Sequence, residues 1–223
     1  MQTADRATNS KSVEIAYGPR VDLAQLQNLF SPQTVTPFTP PPAGIDNLGI
    51  TSTDTFVVPN IGEFTIDFKG FVRVARSAPT ATDWAGAEVY TNLIEMRLLG
   101  ESPEIGQIIV TLNHNVLSTG QIKTPFTSEA CEGDPEKACR MAVGATFELP
   151  RMGKVLFNKE PILLTIDNVR AIPPAGNPGE ARIYQLLPLY DRAEPDGQPA
   201  AYLTRLKFAM GTYLSEADLA AYR

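Results

Sequence analysis

The chain has 223 residues, 25 acidic against 19 basic for a net charge of −6, and an apolar fraction of 43%. That length suits one large domain, or one domain with extensions, and supplies apolar residues for a sizeable core. An acidic balance without any cluster of Lys and Arg argues against a nucleic-acid partner. A single histidine excludes a metal site built on two or more imidazoles of one chain. No apolar run reaches the ~20 residues that a membrane-spanning helix needs.

The opening "MQTADRATNSKS" is polar and reads as a tail, without the apolar segment of a secretory signal. With no Asn-x-Ser/Thr acceptor in the chain either, the expected location is the cytoplasm. "VDLAQLQNLF" then places Leu23, Leu26, Leu29 and Phe30 on one helical face, with Asp22 and Gln25 spaced as in a capping box. Ser31-Pro32 stops that helix, and "PQTVTPFTPPP" follows with five prolines in eleven residues. Residues 1–43 are therefore expected to form an N-terminal arm, a tail plus a short helix on a stiff strap. Residues 44–223 are expected to form a single β domain ending in a helix. So short a helix must bury its apolar face elsewhere, which makes residues 13–43 the expected contact for a protein partner or a second copy.

From residue 51 the period changes to two. "GEFTIDFKG" alternates Phe64, Ile66 and Phe68 with Glu63, Thr65, Asp67 and Lys69, the pattern of a half-buried strand. "YTNLIEMRLLG" puts Tyr90, Ile94, Met96 and Leu98 on one face and Glu95 and Arg97 on the other. "GQIIVTLN" and "CRMAVGATFELP" continue the alternation, the latter with Met141, Val143, Ala145, Phe147 and Leu149 inward. "PILLTIDN" is apolar throughout and is expected to be covered on both faces. "RIYQLLPLYD" and "AYLTRLKFAMGTYL" flank Pro195-Asp196-Gly197 and read as a hairpin, with Pro188 marking an edge or a bulge. A last helix begins after Ser215, capped toward Asp218, and carries Leu219 and Tyr222. About eight to ten strands without alternating helices predict an all-β fold, either an antiparallel β-sandwich or a closed β-barrel.

Few residues offer chemistry. "CEGDPEKAC" holds Cys131 and Cys139, the only two cysteines, around a turn-forming acidic spacer. Two thiols are too few for a zinc site, and acidic neighbours do not favour a thiolate. A loop-closing disulfide or a pair of idle thiols remains, and no metal or other cofactor is expected. His114, in "TLNHNVLSTG", sits in a loop where a base could act, although a hydrogen-bonded surface histidine is the ordinary reading. Trp84, Tyr184, Tyr190 and Tyr202 could line a ligand mouth, or could complete the edge of the core. Asp54, Asp167 and Asp191 look like solvated carboxylates at strand ends. Neither a nucleophile elbow nor a phosphate-binding glycine loop is present.

"TDWAGAEVYTNL", "LFNKEPILL", "IPP", "IYQLLPLYD" and "AYLTRL" resemble segments of an uncharacterised bacterial family of unknown function, over roughly residues 51–214. The resemblance carries over no activity and no catalytic residue. The missing signatures favour a non-enzymatic β-sandwich that binds or assembles through its arm. The alternative is a β-barrel that binds an apolar small molecule, of the kind that could act as a cyclase or isomerase by holding its substrate.

Overall fold

A computed structural model describes residues 41–81, 86–125, 138–167, 172, 178–181 and 186–222. The tail, helix and proline strap expected over residues 1–43 lie outside the described residues, apart from 41–43, as does the body of the cysteine loop. The strands are β1 (Gly44–Val58), β2 (Gly62–Arg76), β3 (Thr80–Ala81), β4 (Gly86–Ser102), β5 (Gly106–Leu112), β6 (Thr119–Pro125) and β7 (Ala138–Val143). They continue with β8 (Ala145–Leu149), β9 (Lys154–Asn158), β10 (Ile162–Asp167), β11 (Pro178–Ala181), β12 (Leu187–Asp191) and β13 (Ala201–Tyr213), and helix α1 (Glu216–Ala220) follows.

The thirteen strands of the described residues belong to one antiparallel sheet, and the sheet closes on itself. β1 pairs along its whole length with β2 on one edge and pairs with β13 on the other. β5 and β6 lie end to end along the two halves of β4. β7 and β8 are separated by Gly144 alone, β9 and β10 form the next line, and β12 and β11 share β13. Over the described residues the result is an up-and-down barrel of eight staves, four of them long and continuous or nearly so (β1, β2 with β3, β4 and β13) and three of the others broken at β5/β6, β7/β8 and β9/β10. A sandwich would leave two separate sheets with free edges. The β1–β13 ladder removes those edges, so the barrel alternative holds and the sandwich does not.

Alternation sorts residues between inside and outside as the sequence predicts. Ile66, Phe68, Val143, Ala145 and Phe147 are buried and Phe64 packs against them, while Glu63, Asp67 and Lys69 are exposed and Glu148 is half-buried. Bulges shift that parity. Arg73 pairs with Glu95 but the next residue, Val74, pairs with Leu93, so Ile94 is an extra residue in β4. Before it the odd positions Val89, Thr91 and Leu93 face inward, and after it the even positions Met96 and Leu98 do. Tyr90, expected on the same face as Met96, is consequently 56% exposed. Thr204 is the extra residue of β13, and its hydroxyl donates to the Thr55 carbonyl at 3.1 Å. Leu163 is 52% exposed, so β10 is covered on one face only, as barrel strands are, and not on both.

The turns follow their residues. In the β1–β2 hairpin Asn60 takes a φ of 65° and the Ile61 N–H donates to the Val58 carbonyl. In the predicted β12–β13 hairpin the Gly197 N–H donates to the Glu194 carbonyl at 3.0 Å across Pro195-Asp196. Gly197 occupies the fourth position of that turn and has no need of a positive φ. Pro188 sits where β12 pairs only with β13, which spares the ladder its missing N–H. α1 carries the expected capping box between Ser215 and Asp218. Its Leu219 is fully buried, and Tyr222 meets Phe71 at 5.8 Å, covering the one aromatic ring that β2 turns outward.

Three broken staves meet at Gly144. A Cβ there would stand 2.6 Å from the Val116 Cβ and 2.7 Å from the Asn113 carbonyl oxygen, so only glycine fits. The interrupted ladder leaves backbone groups that side chains satisfy. Asn158, 0% exposed, accepts from the Ala145 N–H at 2.6 Å and donates to the carbonyls of Val143 at 3.1 Å and Glu160 at 2.6 Å. Ser118 Oγ accepts the Gly144 N–H at 2.9 Å, and Asn113 donates to the Asn158 carbonyl at 3.1 Å. Asn158→Ala should therefore lower stability by roughly 2–5 kcal/mol in urea unfolding, because at least two buried backbone groups lose their partners. Asn158→Asp should not restore it, since a carboxylate cannot donate to the two carbonyls.

Candidate functional site

β1 is where the interior departs from an ordinary core. Its inward row runs Asp46, Leu48, Ile50, Ser52, Asp54 and Phe56, all buried, so three polar side chains share one face with three apolar ones. Each end of the row is well satisfied. Asp46 is ion-paired with Arg76, whose Nε also donates to the Pro42 carbonyl at 2.8 Å. Phe56 meets Phe68 and Phe147 edge to face, at 6.3 and 5.5 Å between ring centroids, and these rings fill the barrel beside the β1–β2 hairpin.

Between these ends lies an interior, partly closed cavity of about 40 Å³. Among the described residues Ser52 and Asp54 are its only polar lining side chains, facing residues such as Met96, Leu98, Val110, Ala145 and Ile162. The Ser52 Oγ and the Asp54 Oδ1 are buried and have no hydrogen-bond partner. Desolvation lifts the Asp54 carboxyl from its usual range near 3.8 to about 7. Ser52 nearby pulls the value down, although no hydrogen bond of normal geometry joins the pair, and the Asp67 charge across the wall pushes it up. The sequence reading of Asp54 as a solvated strand end is corrected here. It lies within β1 and is 2% exposed.

Two larger concavities lie on the outside. One, of about 490 Å³, runs over Thr51, Thr53, Lys69 and Lys207; the other, of about 390 Å³, runs over Glu95, Arg97 and His114. Both are more open to solvent, which screens charges and competes for every polar group, so the small interior cavity is the better place for selective chemistry.

The residues singled out in the sequence are scattered. His114 is exposed in the β5–β6 loop, at the rim of that second outer concavity. Tyr190 lies on the outer face against Phe157, at 6.3 Å, with the Lys159 ammonium 4.3 Å from its ring. Tyr202 pairs with Val57 and Pro188, half-buried between the inward Ala201 and Leu203. None of the three lines the interior cavity. Trp84, Tyr184 and Cys131 lie outside the described residues. Cys139 is a free, buried thiol in β7, and burial pushes its pKa up to about 12, which leaves it unreactive. Asp191 is held by Lys154 at 2.9 Å, and its carboxyl is lowered accordingly. Among the described residues there is no cluster of three or more metal-ligating side chains, and no helix is long and apolar enough to cross a membrane.

Asp54 makes stability depend on pH. Its folded pKa lies above the unfolded one, so the folded state holds the extra proton and stability falls as pH rises from about 4 to about 7. Asp54→Asn should remove that slope. Denaturant midpoints should show the variant gaining on the native protein across that window by on the order of 4 kcal/mol, with the larger difference above neutrality.

Comparisons with known proteins agree with the barrel. No curated protein matches the chain. The solved structure of DynF, from the dynemicin biosynthesis pathway of Micromonospora chersina, is similar to it, with 55% identity and a TM-score of 0.75. The match covers 93% of this chain and 95% of that one. A family model matches residues 1–220, and the chain belongs to that family, DUF6073, a family of unknown function.

Proposed function

We propose that this protein is a β-barrel that takes an apolar small molecule into its interior and acts in the biosynthesis of a natural product. The observation that carries the reading is the interior, almost wholly apolar cavity within a closed barrel. The similarity to DynF, a protein of a biosynthetic pathway, supports the setting. A cavity of about 40 Å³ holds a small group and not a whole ligand, so a longer body enters only as side chains lining it swing aside. Met96 is suited to that, being unbranched and adaptable, and Leu206 is only half-buried. Affinity comes from apolar area removed from water, about 25 cal/mol per Å², less the cost of rearranging the lining. A barrel of this kind reaches enzymatic catalysis when a proton-active group meets the held substrate, which the interior Asp54 could supply and the outer His114 could not.

Diphenylhexatriene, a hydrocarbon that fluoresces in apolar surroundings, tests the reading directly. The native protein should bind it saturably. Ala145→Leu, which fills the cavity from the opposite wall, should weaken binding by about tenfold or more while circular dichroism stays unchanged. Absence of saturable fluorescence with the native protein, or equal affinity in the folded variant, would refute interior binding.

A further inference from the structure

The fold accounts for every polar side chain in the inward row of β1 except two. Asp46 has Arg76, but Ser52 and Asp54 have hydrogen-bonding atoms that meet nothing. Burying a carboxyl and a hydroxyl without partners costs stability, and apolar residues at 52 and 54 would continue the core set by Ile50 and Phe56. Both groups line the same cavity, two positions apart on one strand face. Among the described residues no ion pair joins a cation to Asp54. Charged residues of the strands around the cavity, such as Asp67 and Lys69 on β2, Arg97 on β4, Arg140 on β7, Glu148 on β8 and Lys207 on β13, alternate to the outer face, and Arg76 on β2, which faces inward, is taken up by Asp46.

Building on the binding function proposed above, we infer that Ser52 and Asp54 are the polar anchor of the interior site and select a ligand with a carbonyl oxygen on an apolar body, which accepts hydrogen bonds from both. The chemistry follows from what each group offers. Serine always has one O–H to give. Asp54 gives one only in its acid form, and its raised pKa of about 7 keeps that form populated near neutrality. Once ionised it is an acceptor alone and repels a carbonyl oxygen. A ligand without an acceptor leaves both hydroxyls unpaired, the situation in which discrimination is strongest. Capture of the carbonyl ligand is therefore strong below pH 7 and is lost as the pH rises above it.

Two fluorescent probes separate the possibilities: 6-propionyl-2-dimethylaminonaphthalene, which carries a ketone, and its 6-propyl analogue, which does not. Titrations with the full chain at pH 6 should show at least a tenfold preference for the ketone, and at pH 9 little or none. Asp54→Asn, which still donates from its amide and removes a buried ionisable group, should keep the preference at both pH values. Asp54→Leu combined with Ser52→Ala should abolish it while the propyl analogue still binds. Equal binding of the two probes to the native protein at pH 6 overturns the anchor, as does a pH dependence that survives in Asp54→Asn. If diphenylhexatriene binds and the ketone is not preferred, the anchor alone is wrong. If none of the probes binds, interior binding falls as well.

Discussion

The hydrogen bonds of Asn158 hold the barrel together where its ladder cannot. A barrel with long staves must bring the opposite wall round the same interior, and here three staves of that wall break at one level, around Gly144. Each break frees N–H and C=O groups in a place without water, where an orphaned group costs as much as a core contact gives. One carboxamide, with an acceptor and two donors, bonds the backbone of β7, β8 and the β9–β10 link together. Ser118 and Asn113 do the same from the β5–β6 side. Everything inside the barrel depends on this repair, because the closed wall is what excludes solvent from the cavity.

The interior that results treats its two aspartates differently. Asp46 faces Arg76, so its charge is paired and the ion pair joins the barrel wall to the backbone at Pro42. Asp54 faces only apolar side chains and its neighbour Ser52. A charge there is opposed by desolvation, so the group stays protonated up to about pH 7. Perturbed groups of this kind cluster at functional sites more than in plain cores. The outer face is ordinary by contrast. Its ion pairs, such as Arg73 with Glu95 at 3.2 Å and Lys159 with Asp196 at 3.5 Å, sit at the surface where their contribution is small.

Belonging to a family of unknown function adds a frame without adding a mechanism. The similarity to DynF extends over nearly the whole of both chains, so the barrel is shared as a unit and not as an isolated motif. Function must then be argued from the site, and on the described residues the interior cavity is where burial, unmet hydrogen-bonding capacity and a perturbed carboxyl coincide.

The class of the fold and most of the strand faces were legible in the order of residues alone. Period-two alternation in segments such as Gly62–Lys69 and Cys139–Leu149 reports burial directly, because a strand turns successive side chains to opposite sides. Capping at Ser215 and the turn at Pro195-Asp196-Gly197 were also legible, being local chemistry of adjacent residues. The choice of barrel over sandwich was not, since it rests on the pairing of Thr51 with Ala209 and its neighbours, residues far apart in sequence. The exposure of Tyr90 depended on a bulge at Ile94, which no composition marks. The site was half written. Leu48, Ile50 and Phe56 fix the inward parity of β1, and that parity already places Ser52 and Asp54 inside. Read without it, "TSTDT" is a polar stretch like any loop. Only closure of the barrel turned two polar residues on one strand into a buried, unpartnered pair, because burial belongs to the walls that surround a residue and not to the residue itself.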